Sequence, residues 1–286
     1  MKSSKPTSQG AQALVVAHLF LGACNLDQDR GDTDRGPEPC AEPNAKNPEE
    51  AIAHYLGAWE ETEPKVRACR LFPSLSEHVS LVSGRASVAG RREVGLALDE
   101  EIARQLDRGA LRTTVGPLAF RHAEVRLHWT TTDDAGVALD EGEDWIEFGS
   151  DGLVSALHLL EGEGTTAPTH GALMQWQNAW NTRNDTLRAE ALEAAVTETI
   201  HFTNTLVEVY GRDALNVEIG RQQDGLDARL TLDEDMQVFA TDETGEPVLV
   251  RVGGYLTLGE RATLPVVDYA RIVDGRIERF SGFSTP

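Results

Sequence analysis

The sequence predicts an α+β protein in which one arrangement, helices followed by a strongly bent antiparallel sheet, occurs twice. Three landmarks carry that prediction. Trp59 in Gly57-Ala58-Trp59 is matched by Trp180 in Asn178-Ala179-Trp180, and 31 residues after each comes a Gly-Arg pair, Gly90-Arg91 and Gly211-Arg212. Each half closes on an Asp-Gly turn and an apolar-rich segment, Asp151-Gly152-Leu153-Val154 and Asp274-Gly275-Arg276-Ile277. The offsets are 121, 121 and 123 residues. That period is too long for a solenoid unit, so each copy is a domain in itself. A chain of 286 residues with 40% hydrophobic residues has the length and the apolar content for two cores.

The elements follow in order. Asn47 is an N-cap, Pro48 suits the first helical position, and Glu49 and Glu50 favour the positive helix end. Ile52, Tyr55, Leu56 and Trp59 then share one helical face. A second helix is expected over residues 64–72, a strand at 79–82, and a third helix after Gly90, where Val94, Leu98, Ile102 and Leu106 recur at four-residue steps. Strands are expected over 120–129, 142–148 and 153–160, with turns at Asp133-Asp134-Ala135-Gly136 and Ser150-Asp151-Gly152. Residues 161–170 have linker composition. The second copy repeats the order: helices over 172–180 and 185–195, a strand at 199–203, a shorter helix after Gly211, then strands over 228–232, 237–240, 248–258, 266–273 and 276–283.

The net charge of −21 repels phosphate backbones and anionic surfaces, so nucleic acid is not an expected partner. At the N-terminus, Met1-Lys2-Ser3-Ser4-Lys5 is basic and residues 13–21 are apolar but too few to span a bilayer. They end in Leu21-Gly22-Ala23-Cys24, which resembles a bacterial lipoprotein signal; an ordinary signal peptide and a buried amphipathic helix are the alternatives. The resemblance implies loss of residues 1–23, lipid on Cys24, and membrane attachment through that anchor alone. Asn25 after the cysteine resembles the pattern sent to the outer membrane, which gives a bacterial cell-envelope address. Residues 24–47 are rich in Asp, Glu, Pro and Gly and read as a disordered acidic tether. Cys40 and Cys69 then remain, either as a disulfide in an oxidising compartment or as two free thiols.

The order of elements, the early Ala-Trp, the Gly-Arg before a helix and the closing Asp-Gly strand resemble the nuclear transport factor 2-like superfamily, in its SnoaL-like polyketide cyclase branch. The resemblance covers residues 48–163 and 171–286, joined by a linker at 164–170. It implies two cone-shaped domains, each with three N-terminal helices packed on a curved antiparallel sheet around a pocket. Ketosteroid isomerases, which the first copy is similar to, use a helix-1 tyrosine and a protonated late-strand aspartic acid to hold a carbonyl oxygen. Tyr55 and Asp144 fall at those positions, and Asp268 repeats the acid in the second copy. Strand parity puts Asp144 with Ile146 and Phe148, and Asp268 with Ala270 and Ile272, so both acids are expected on an apolar face with raised pKa, able to donate a hydrogen bond.

The resemblance stops at the general base. That residue is an aspartate on the first strand, and Leu81 and Phe202 stand there instead. The second copy also has Trp176 in place of the tyrosine. Trp59 and Trp180 read as core. His122 and His128 read as solvent-facing along with Glu124 and Arg126, and His201 as facing away from the pocket. No His, Cys or Asp spacing points to a metal, and no cofactor motif is present. Trp145 and Tyr269 lie on the parity opposite the acids, so they, with Trp129, are expected in a contact between the two domains. The functional expectation is a lipid-anchored, non-catalytic small-ligand-binding or interaction protein. Its ligand is apolar or carbonyl-bearing, held at Tyr55, Trp59, Asp144, Trp176 and Asp268. The alternative is a cyclase, isomerase or dehydratase acting on a small carbonyl or polyketide-like compound.

Overall fold

Helix α1 (Pro48–Trp59) begins at the expected cap: the Glu50 backbone N–H donates to the Asn47 side-chain oxygen at 2.8 Å. Its buried face carries Ile52, Tyr55 and Trp59. α2 (Pro64–Ser74) follows, then β1 (Leu75–Ser83) and β2 (Ser87–Ala89). α3 (Arg91–Asp107) starts at Gly90, whose φ of 100° is a conformation that glycine adopts without Cβ strain. β3 (Leu111–Arg121), β4 (Glu124–Thr132), β5 (Ala138–Phe148) and β6 (Val154–Glu161) complete a six-stranded sheet of order β2-β1-β6-β5-β4-β3. The computed structural model describes residues 44–284.

The second half repeats this order. β7 (Thr165–Pro168) precedes α4 (Gly171–Asn181), α5 (Asp185–Ala195), β8 (Val196–Thr203), β9 (Glu208–Tyr210) and α6 (Arg212–Leu226). Gly211 opens α6 with φ 86°, the counterpart of Gly90. β10 (Ala228–Thr241), β11 (Pro247–Leu258), β12 (Ala262–Val273) and β13 (Arg276–Ser284) give a seven-stranded sheet of order β7-β10-β11-β12-β13-β8-β9. The described residues therefore form an α+β fold of six helices and two sheets. Each sheet is antiparallel apart from one parallel pair, β1 with β6 and β8 with β13. Register shifts in β10 and β3 mark the bulges that bend the long strands. Each half encloses its own apolar core.

Several sequence expectations are corrected. The expected strand over 120–129 is two strands: β3 ends at Arg121 and β4 starts at Glu124, with His122 at φ 48° in the turn. The expected strands 228–232 and 237–240 are one strand, bulged between Leu232 and Met236. The linker composition of 161–170 conceals β7, an edge strand on β10. The expected tether reaches the folded body before residue 47: Ala45 is buried and its N–H donates to the Pro73 carbonyl at 3.0 Å. Cys69 is disulfide-bonded. The expected signal at 1–23, Cys24, Cys40 and most of the tether lie outside the described residues. Among the described residues, no helix is long and apolar enough to cross a membrane.

The two sheets meet through their outer faces. Val82, Trp145 and Leu160 of the first half form one buried cluster with Phe239, Ala240, Leu249 and Tyr269 of the second. The Trp145 and Tyr269 ring centroids lie 6.2 Å apart. Glu124 leaves its own sheet on the outer side, as parity requires, but it is fully buried by the other half rather than solvated. Its carboxylate accepts from Trp145 Nε1 at 3.2 Å, Thr203 Oγ1 at 3.0 Å, Ser281 Oγ at 2.5 Å and Arg279 Nη2 at 2.5 Å. Arg279 also lies 2.8 Å from Glu147, which takes the His158 ring nitrogen at 3.0 Å. Burial raises the Glu124 pKa despite Arg279, whereas Arg279 and His158 hold Glu147 below the usual range against its own burial.

Candidate functional site

Tyr55, on the inner face of α1, reaches across the first core to Asp144 on β5: its hydroxyl donates to Asp144 Oδ2 at 2.7 Å. Both residues are fully buried. Burial first, and the Asp144 carboxylate second, push the Tyr55 hydroxyl well above its usual range, so it remains a donor. Trp129 Nε1 donates to Asp144 Oδ1 at 2.9 Å, and the Arg112 guanidinium forms an ion pair with Oδ2. The guanidinium carbon lies 4.0 Å from the Trp59 ring centroid and 4.2 Å from that of Trp129, a cation held between two aromatic faces.

This overturns the expectation that Asp144 donates to a ligand. Three donors converge on its oxygens, so it is an acceptor held by its own protein. The residue that sequence reasoning missed is Arg112, because β3 was not recognised there. Trp129 is likewise interior, packed on Arg112, not part of the contact between sheets.

Asp268 on β12 has the opposite surroundings. Strand registers transfer the equivalence outward from the two acids. Leu127 faces Asp144 and Val252 faces Asp268. Two residues further along, Trp129 of β4 therefore corresponds to Gly254 of β11, and Gly142, opposite Trp129, corresponds to Val266. Arg112 faces Thr131 and Leu230 faces Leu256, so Arg112 corresponds to Leu230. Tyr55 corresponds to Trp176 by the 121-residue offset. All three partners of Asp144 are thus replaced in the second half, by Trp176, Leu230 and Gly254.

The replacement opens a cavity of about 270 Å³ in the second half. Trp176, Trp180, Phe202, Leu230, Val266 and Asp268 are among its walls. The Asp268 carboxyl is 4% exposed, and among the described residues no hydrogen bond or neighbouring charge offsets its burial. Burial pushes its pKa up to about 8. The indole N–H groups of Trp176 and Trp180 also have no partner among the described residues. A buried carboxyl on an apolar wall, with neighbouring donors unengaged, is costly unless something else satisfies it.

The remaining expected residues sort as follows. Trp59 packs edge-on against Tyr55, at 6.1 Å between centroids, and Trp180 does so against Trp176 at 6.0 Å. Leu81 and Phe202 are both buried, and Phe202 lines the cavity. His201 lies away from the cavity, stacked on Tyr210 at 4.0 Å and bonded to Glu208 at 2.8 Å. His128 is half exposed, 3.5 Å from Glu143.

Asp268 gives a pH-dependent prediction. Below about pH 4 the acid is neutral in both folded and unfolded chains. As pH rises towards 8, the unfolded acid ionises while the folded one resists, so this group's contribution to stability is lost across that window. Asp268→Asn should therefore match the wild type near pH 4 and exceed it at pH 8 by about 1–3 kcal/mol. Urea denaturation at several pH values reads the difference, and a difference independent of pH would exclude a protonated Asp268.

No family model matches the chain, and no curated protein matches it. Among solved structures it is similar to a protein of the SnoaL-like family from Agrobacterium tumefaciens, at 21% identity over 38% of this chain and 93% of that one, TM-score 0.34. It is also similar to an NTF2-like protein of unknown function from Mesorhizobium loti, at 17% identity over 40% and 88%, TM-score 0.32. A third is an LEH-like epoxide hydrolase from M. tuberculosis, at 15% identity over 40% and 80%, TM-score 0.31.

Proposed function

We propose that the chain is a small-molecule-binding protein whose site is the cavity of the second half, the first half being a self-filled copy that pairs with it as a scaffold. The observation that carries this reading is Asp268, a buried carboxyl without a partner among the described residues, on the wall of an apolar cavity. The ligand is compact and largely apolar, with one polar group that meets the carboxyl. Chemistry on the ligand is a second reading, motivated by an acid that titrates near 8, where it can exchange protons at neutral pH. Leu81 and Phe202 at the base positions argue against it, because neither moves a proton.

Filling the cavity tests the binding reading. Leu230→Arg restores the residue that occupies the equivalent place in the first half, where it pairs with the acid. The variant should stay folded and should lose the thermal shift given by compounds that raise the wild-type melting temperature. A variant that still binds those compounds places the site elsewhere. Turnover of any bound carbonyl compound, lost in Asp268→Asn, would favour the enzymatic reading.

The same proposal includes an envelope address, supported by Leu21-Gly22-Ala23-Cys24. Mass spectrometry of membrane-extracted protein should find an acylated Cys24 as the first residue, and Cys24→Ala should release the protein from the membrane. An intact Met1, or a membrane-bound Cys24→Ala variant, argues against lipidation.

A further inference from the structure

The two halves derive from one site, and the first copy, filled by its own side chains, indicates what chemistry suits the cavity of the second. In the first half, an acid on β5 and an α1 tryptophan, Asp144 and Trp59, hold a cation, the Arg112 guanidinium. The same acid and the same tryptophan recur in the second half as Asp268 and Trp180, both on the cavity wall. The cation and the ring on its other side are gone, through Leu230 and Gly254, and the tyrosine donor is replaced by Trp176. Gly254 cannot regain a side chain cheaply, since a Cβ there would sit 2.4 Å from the Thr231 carbonyl oxygen. The second half thus keeps the carboxyl and an aromatic face while removing the internal cation that would pair with them. Trp176, Phe202 and Phe280 add further aromatic faces to the same wall, with Trp176 and Phe280 at 4.6 Å between centroids.

We propose that the ligand of the second-half cavity is an organic cation, a protonated amine or guanidine on a compact apolar body, whose charge sits between Asp268 and the Trp180 face as Arg112 sits between Asp144 and Trp59. This rests on the cavity being a binding site and specifies the ligand class. An aromatic wall favours a cation through its ring quadrupole, and the favourable term grows once water is excluded. A chain carrying −21 draws cations towards it at long range. A neutral carbonyl compound gains neither effect. Binding is also coupled to proton release: an ammonium that arrives charged displaces the Asp268 proton to solvent and leaves an ammonium–carboxylate pair, so the bound state has one proton fewer.

The test compares three probes of one skeleton by titration calorimetry at pH 7: 2-phenylethylamine, 2-phenylethanol and 4-phenylbutan-2-one. The amine should bind at least about tenfold more tightly than either neutral compound. Titration in buffers of different ionisation enthalpy should show close to one proton released for the amine and none for the alcohol. Asp268→Asn should abolish the amine preference and the proton release while leaving alcohol binding within about twofold. Neutral probes that bind as tightly as the amine overturn the cation assignment and leave the cavity as a neutral-ligand site, and an amine preference that persists in Asp268→Asn overturns Asp268 as the partner of the charge. Failure of all three probes to bind at millimolar concentration overturns the binding site itself.

Discussion

Replacing Arg112 with alanine should destabilise the protein by about 3–5 kcal/mol, the range for removing one partner of a buried ion pair. The side chain is 4% exposed and Asp144 is fully buried. Alanine would strip the carboxylate of the one cation paired with it among the described residues and leave a void between Trp59 and Trp129. Tyr55 and Trp129 would still donate, but two neutral donors do not replace a guanidinium. Arg112→Lys should recover part of the loss, since it returns the charge without the planar fork that lies flat between two rings. Ethylguanidinium at millimolar concentration should bind the void in Arg112→Ala and raise its melting temperature by more than it raises that of the wild type, whose second-half cavity offers a site for the same class of cation. A loss below about 1 kcal/mol would mean that the ion pair is solvated and that the first half is not a filled site.

What the sequence revealed of this site was its acids, and what it concealed was their partners. Strand parity placed Asp144 and Asp268 inward and Trp145 and Tyr269 outward, because alternation is a local property that a strand shows on its own. Arg112 was illegible for a local reason as well. Leu111–Arg121 contains Arg112-Thr113-Thr114 and a Gly116-Pro117 break, which reads as a loop until the strand is seen paired to β4. The duplication was visible in Trp and Gly landmarks, yet a further pair at the same offset went unread. Arg67 and Arg188 are both buried and tie the second helix to the third in each half, at 2.5 Å to Asp99 and 2.8 Å to Asn216. An arginine in a polar helix looks solvated until the packing is known.

Glu124 marks a different limit. Alternation put it correctly on the outer face of its sheet, and outer faces of single sheets are ordinarily wet. Parity cannot distinguish water from a second sheet, since the covering surface comes from residues more than 70 positions away in the chain. The second-half cavity follows the same rule. It is defined by what Leu230 and Gly254 fail to supply to Asp268, and that comparison needs the registers of both sheets.

Glu124→Ala should be the most damaging change between the two sheets, also by about 3–5 kcal/mol. Four donors end on this carboxylate, from Ser281, Thr203, Trp145 and Arg279; Arg279 would keep Glu147 and Thr203 could still donate to Ser281 at 3.1 Å, but the remaining donors would be buried without this acceptor. The contact supplies its own comparison. By strand register Glu124 corresponds to Leu249, and by the repeat offset Thr203 corresponds to Val82, both in the apolar cluster at the other end of the contact. One end of the contact is therefore ionic and the other apolar, although both derive from the same positions of one repeat. The ionic end adds specificity: two copies of the first half, facing each other in the same manner, would each place Glu124 against Val82 without a cation. Converting the ionic end to the apolar pattern separates cost from specificity. Glu124→Leu with Arg279→Ala should be less destabilising than the sum of the single changes, with a coupling of about 1–3 kcal/mol in a double-mutant cycle. Additive losses within about 0.5 kcal/mol would show that Glu124 and Arg279 do not act as a pair. Sedimentation of the double variant should also detect more self-association than the wild type shows, because the charge that disfavours like-with-like pairing has been removed.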